Sequence, residues 1–181
     1  MPTLALPHER YHRSFLAAMA EFRAEGRGAQ DDISVIGDDL RERWGKWDTE
    51  AGFADYVDAL RNEADPEGIW PQGYVQATTW WYVDGEEYLG RIQLRHTLTE
   101  RLRAHGGHIG YDVRPTARRR GYATTMLRDV LPLALAAGVE PAALVSCDSD
   151  NVASRKVIEA NGGVLEDEVD GLRRYWVPTS R

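Results

Sequence analysis

The chain has 181 residues, 43% of them apolar, and a formal net charge of −7 at pH 7. That length suits one domain whose hydrophobic core needs no disulfide, and the single cysteine, Cys147, excludes an intramolecular disulfide or a cysteine-based metal site. An isoelectric point near 5.3 argues against nucleic acid as the main partner, because neutralising phosphates takes a basic face; it favours, weakly, a cationic substrate such as an amine.

No stretch approaches the roughly 18 apolar residues of a membrane span. The first residues carry His8, Glu9, Arg10, His12 and Arg13 and no long apolar run, so no secretory signal is read. With one cysteine, this leads to the expectation of a cytoplasmic protein.

Residues 9–25 read as an amphipathic helix, with Phe15, Met19 and Phe22 at spacings of four and three and Gly26 and Gly28 closing it. The polar stretch 26–50 is expected to be loop with a short helix around Asp38–Trp44. A second helix is expected from Phe53 to Glu63, with Phe53, Val57 and Leu60 on one face, then a turn at Asp65-Pro66-Glu67-Gly68. From Tyr74 the texture changes to strands. Val75–Val83 is β-branched and aromatic, Asp84-Gly85 is a hairpin signal, and Glu87–Leu98 is the returning strand. Leu94 to Val113 suggests another hairpin with its loop around Thr99–Gly106. A helix follows from Tyr122 to Ala137, with Met126, Val130, Leu133 and Ala137 on one stripe, a kink expected at Pro132 and Gly138 at its end. Ala142–Cys147 reads as a short buried strand, 152–160 as a helix opened by Asp150-Asn151, and Val164–Val169 with Leu172–Val177 as a closing hairpin.

The most informative segment joins the strand ending at Val113 to the helix beginning at Tyr122. It places four arginines and no acid between residues 114 and 120 and ends in Gly121. The first amides of a helix have no internal partner, and the helix dipole favours an anion beside them. Gly121 lets the backbone take positive φ and approach a ligand closely. A bound polyphosphate suits this chemistry; a solvated arginine face followed by an ordinary turn is the plainer account of the same residues. A dinucleotide-binding turn is excluded, because no G-x-G-x-x-G follows a strand in a parallel unit.

Two motifs in this order, Arg118-x-x-Gly121-x-Ala123 and Asn151-Val152-Ala153-Ser154 followed by Glu159-Ala160-Asn161-Gly162-Gly163, resemble the acyl-CoA pyrophosphate loop and the second conserved block of the GNAT acyltransferase superfamily. The resemblance covers residues 74–177 and points to a bacterial branch of predicted acetyltransferases. It implies an α/β fold of the α+β type: a mixed, mostly antiparallel sheet flanked by helices, with the strand at 108–113 splayed from that at 142–147. It divides one continuous domain into a helical part, 1–73, that shapes the acceptor site and an acyl-CoA-binding core, 74–181.

The resemblance also implies roles. Amides near Arg118, Arg119, Gly121, Tyr122, Ala123 and Thr124 would hold the pyrophosphate, with charge added by Arg119 and Arg120. The backbone of Tyr111 and Val113 would face the pantetheine and thioester. Asn151 and Ser154 read equally as coenzyme contacts or as the cap and first turn of their helix. The tyrosine that many relatives use as general acid is replaced by Ile158, which leaves Tyr111, Tyr122 and Tyr175 as nearby hydroxyls. The strand glutamate of some relatives falls on Gly107. His108 and His96 titrate in a useful range and would adjoin across two strands if Thr99–Gly106 is a simple turn; ordinary strand positions are the competing account. The carboxylates Asp112, Asp148, Glu86 and Glu87 are further candidates for binding a cation. Cys147 is read as packing rather than as a nucleophile, and Trp70, Trp80 and Trp81 as core more than pocket. The expected function is acetyl-CoA-dependent N-acetylation of a primary amine by direct transfer, without metal. A non-catalytic acyl-CoA sensor or scaffold that has lost its acid at Ile158 is the rival. Strand 75–83 and the last hairpin are edges through which a homodimer can form.

Overall fold

The computed structural model describes residues 1–32, 34–70 and 73–180. Its helices follow from apolar spacing and polar caps. Helix α1 (His12–Ala24) buries Phe15, Ala18, Met19 and Phe22 along one stripe, and Gly26 beyond it takes φ +87°. Helix α2 (Val35–Arg43) is capped by Ser34, whose hydroxyl accepts from Gly37 N–H at 3.0 Å. Helix α3 (Glu50–Asn62) is capped likewise by Thr49 on Gly52 N–H and buries Phe53, Tyr56, Val57 and Leu60. Both helices start three residues before the expected stretches; in α3 this is because the cap lies upstream of the first residue of the apolar stripe, Phe53.

Strands β1 (Thr3–Ala5), β2 (Ala77–Asp84), β3 (Glu87–Arg95) and β4 (Ile109–Val113) form one antiparallel sheet in that order. β1 was not expected from the sequence. The β3–β4 connection is not a bare turn: it holds helix α4 (Glu100–Ala104), capped by Thr99. Alternation along β2 sends Trp81 and Val83 to a core with α1, α2 and α3, where the Phe15 and Trp81 rings stack at 5.4 Å between centroids. Tyr82 faces the opposite core, so the sheet is covered on both faces.

That second core is built on helix α5 (Tyr122–Ala136), which buries Met126, Leu127, Val130, Leu131 and Ala134. Leu133, expected on the buried stripe, is 38% exposed, and the helix runs unbroken through Pro132. Strand β5 (Ala142–Asp148), helix α6 (Val152–Ala160) and strands β6 (Val164–Val169) and β7 (Leu172–Pro178) complete the chain, the strands forming a second antiparallel sheet in the order β5-β7-β6.

β4 and β5 therefore edge different sheets. They meet at one end, where His108 N–H donates to Leu144 C=O at 2.7 Å and Leu144 N–H donates to His108 Nδ1 at 2.9 Å. Beyond this clasp the strands part. Among the described residues no helix is long and apolar enough to cross a membrane.

Candidate active site

The parting of β4 from β5 leaves amides of β4 without a sheet partner. Arg95 N–H donates to His108 C=O and Arg114 N–H to Leu89 C=O, and the β3–β4 register between them is unbroken. Hydrogen-bonded and open rungs alternate in an antiparallel ladder, so Tyr111 and Val113 occupy open rungs and turn their N–H and C=O away from β3. The Val113 carbonyl is taken by Arg118 Nε at 3.1 Å; its N–H faces the wedge.

The wedge opens on two clefts. One, of about 1040 Å³, is lined by Val113, Arg119, Gly121, Tyr122, Ala123, Thr124 and the start of α6. The other, of about 720 Å³, lies between β3, β4, β5 and the side formed by Arg27, Asp31, Asp32, Ser34 and Val35. They share Arg27, Tyr111, Asp112, Asn151 and Ser154, so they join at the splay.

At the first cleft, Gly121 sits at φ +80° and no side chain caps α5. Nothing lies within 4 Å of where a Cβ on Gly121 would be. Arg119 also takes positive φ, 62°. The helix entrance is thus open, with the first amides of α5 available to an anion. The three arginines of the loop differ. Arg118 forms a two-pronged pair with Glu25 at 2.7 and 2.8 Å, tying the loop to the end of α1. Arg120 donates to Thr116 C=O at 3.3 Å and does not line the cleft. Arg119 lines it.

Asn151 caps α6, its Oδ1 accepting from Ser154 N–H at 3.0 Å. Tyr111 reaches across the wedge, its hydroxyl 2.6 Å from Ser154 Oγ. Burial raises the Tyr111 phenol above its ordinary range, with Ser154 pulling the other way. Ile158, one turn beyond Ser154, is fully buried in the core and does not line either cleft. A Cβ on Gly163 would lie 2.5 Å from its Cγ2.

The three residues expected to move protons lie elsewhere. His108 is buried, its Nδ1 occupied by the Leu144 amide, and burial together with the charge of Arg95 lowers its pKa to about 4. His96 does not adjoin it: α4 lengthens the connection, Arg95 takes the place opposite His108, and the His96 ring turns to Thr78 Oγ1 at 2.9 Å. Tyr175 is 2% exposed in the core under α5. None of the three lines either cleft. Gly107, where a glutamate was sought, takes φ +64°, and a Cβ there would lie 2.4 Å from Leu144 C=O. The clasp between the sheets requires glycine at this position.

Asp112 and Asp148 line the second cleft; Glu86, Glu87, Trp70, Trp80 and Trp81 line neither. Arg27 spans Asp32 and Asp112 at 3.0 and 3.2 Å. Burial and Asp148 raise the Cys147 thiol, so it stays protonated and serves as wall. Three arginines of the second cleft escaped the sequence reading: Arg27, Arg91 and Arg95. The two on β3 alternate with apolar positions, Arg91-Ile92-Gln93-Leu94-Arg95, a polar stripe that could have signalled a lined face. Among the described residues no group of three His, Cys, Asp or Glu is placed to hold a metal.

No curated protein matches this chain. Its fold resembles that of the microcin C7 self-immunity acetyltransferase MccE, solved with acetyl-CoA and AMP (TM-score 0.64, 13% identity, 98% of this chain and 92% of that one). It also resembles RimL, a ribosomal L7/L12 alpha-N-protein acetyltransferase solved with coenzyme A (TM-score 0.63, 15% identity, 98% and 93%). A third is Mycobacterium smegmatis RimJ with CoA-disulfide (TM-score 0.64, 17% identity, 98% and 80%). A family model described as an acetyltransferase (GNAT) domain matches residues 28–164. With its antiparallel sheets, flanking helices and splayed strands, the chain belongs to the GNAT family of acetyltransferases.

Proposed function

We propose that this acetyltransferase moves the acetyl group of acetyl-CoA directly to a primary amine, with both substrates held in the joined clefts. The observation that carries the reading is the open entrance of α5 beside a strand whose outward amides have no sheet partner. The residues present fit the coenzyme. The amides of Gly121, Tyr122, Ala123 and Thr124 would hold its pyrophosphate, with Arg119 adding charge, and the outward backbone of Tyr111 and Val113 its pantetheine arm. Acetyl-CoA bound there supplies an acetyl thioester. The MccE, RimL and RimJ structures, each holding acetyl-CoA or a CoA species, support the same occupant.

Within this reading the Val113 N–H polarises the carbonyl at the reacting end. The paired hydroxyls of Tyr111 and Ser154, which border both clefts, protonate the departing thiolate in place of the missing tyrosine. The sensor reading rests on Ile158; this hydroxyl pair supports the transfer reading over it. Arg27, Asp31, Asp32, Ser34 and Val35, which line the second cleft, support a role for the helical part in shaping the acceptor side.

Calorimetric titration with acetyl-CoA tests the binding. Gly121→Trp, which fills the open space at the helix entrance, should weaken it by at least about tenfold, equivalent to 1.4 kcal/mol; equal affinity in the two proteins removes the loop from the site. Thiol release with an amine panel tests the chemistry. Tyr111→Phe and Ser154→Ala should lower kcat by about a hundredfold with the affinity for acetyl-CoA little changed.

A further inference from the structure

The floor of the second cleft carries two guanidiniums that the acetyl-transfer reading does not use. Arg91 is 1% exposed. Its Nη1 donates to Asp39 at 2.8 Å, but its Nη2 is buried with no partner among the described residues. A buried charged donor left open is costly unless something occupies it. Two positions on, Arg95 donates from Nη1 to the carbonyls of Gly106 and Gly107, both at 3.2 Å. Among the described residues no carboxylate forms an ion pair with it. Burial and the neighbouring charge of Arg91 lower its pKa to about 10, with Glu63 offsetting at longer range; it remains cationic at neutral pH.

Gly110 of β4 exposes Arg95. A Cβ there would sit 3.9 and 4.0 Å from the two Nη atoms of Arg95. Its absence leaves the guanidinium bare to the cleft one residue from Tyr111. None of the acids lining the same cleft forms an ion pair with Arg95: Asp32 and Asp112 are held by Arg27, Asp112 reaching Arg91 only through longer-range charge, and Asp31, Asp148 and Asp170 are exposed at the rim. An anion on the acceptor therefore belongs at the buried floor, where desolvated cations need one most.

We infer that Arg95 and the free Nη2 of Arg91, floored by Gly110, form a carboxylate subsite, and that the acceptor amine carries a carboxylate. This rests on the acetyl-transfer reading for the word acceptor, and on the structure alone for the anion site.

Matched probes test it: γ-aminobutyrate against butylamine for a free amino acid, and a serine-aspartate dipeptide amide against its serine-asparagine counterpart for a peptide amine. Binding is read by calorimetry on the CoA-saturated protein, and turnover by thiol release with acetyl-CoA. The wild type should favour at least one carboxylated member by about tenfold or more, the scale of a charge-assisted hydrogen bond; whichever pair shows it identifies the source. Arg95→Met and Gly110→Leu, which remove and cover the guanidinium, should abolish the preference with acetyl-CoA affinity unchanged, and Arg95→Lys should restore part of it. Equal binding of both members in both pairs, or a preference that survives Arg95→Met and Gly110→Leu, overturns the subsite. Arg95-dependent carboxylate binding in a protein that fails to bind acetyl-CoA supports the anion site and removes the acetyl-transfer reading instead.

Discussion

His108 ties its two sheets together only while its ring is neutral, because Nδ1 must accept the Leu144 amide. Its folded pKa, lowered to about 4 by burial and Arg95, lies below the ordinary value near 6.5. The unfolded chain therefore takes up the proton first as pH falls. The stabilisation is complete above about pH 6.5 and is lost progressively down to about pH 4, about 3 kcal/mol over that window. His108→Asn keeps an acceptor for the amide and removes the titration. Urea unfolding at pH 7 and 4.5 should show a steep fall for the wild type and a flatter one for the variant; parallel curves would place the ring outside the clasp. Ile158 makes the complementary point. Restoring the tyrosine of other family members by Ile158→Tyr would force a phenol into a filled core against Gly163. It should cost about 1–3 kcal/mol and bring no gain in acetyl transfer. Thermal unfolding and thiol release, measured together, check both halves.

At the scale of elements, the two glycines flanking β4 and α5 take similar φ for different reasons. Gly107 sits at +64° with Leu144 C=O where its Cβ would be, whereas Gly121 sits at +80° beside open space. Gly107→Ala combines backbone strain with a collision against a carbonyl of the facing sheet and should cost about 3 kcal/mol. Gly121→Ala meets only the strain and should cost about 1 kcal/mol. Comparing the two midpoints in guanidinium chloride separates the effects. The same contrast explains what could be read beforehand. The entrance of α5 was legible because an arginine run, a glycine and an apolar stripe are all local. The clasp at Gly107 was not, since it is defined by Leu144, which is far away in sequence. β1 has three residues, too few for alternation to show, and α4 has five. In α4 the local signal is Thr99, whose hydroxyl accepts from Leu102 N–H. The histidines were misplaced for that reason: with α4 inserted, Arg95 rather than His96 faces His108.

The whole molecule has two cores on opposite faces of one sheet, and the second cleft lies where the helical part meets the strands. Arg27 is the strut of that junction, joining Asp32 of the α1–α2 loop to Asp112 of β4 while Asp32 also accepts from Gly28 and Ser34. Burial opposes ionisation of Asp32, but Ser34, Gly28 and Arg27 together lower its pKa to about 2. Because the folded pKa lies below that of the unfolded chain, this group stabilises fully above about pH 4, and the contribution disappears as pH falls through about 2. Arg27→Met would leave two partly buried carboxylates without their shared cation. It should cost about 2 kcal/mol at pH 7, at the lower end for a partly buried pair losing one member. The penalty should shrink as pH falls from 4 toward 2, since protonation of Asp32 relieves a carboxylate that the arginine no longer balances. Unfolding by urea at pH 7, 4 and 2.5 measures this directly. A penalty that stays constant across those three pH values would mean that Arg27 holds the loop by packing alone, and that the second cleft keeps its shape without the ion pairs.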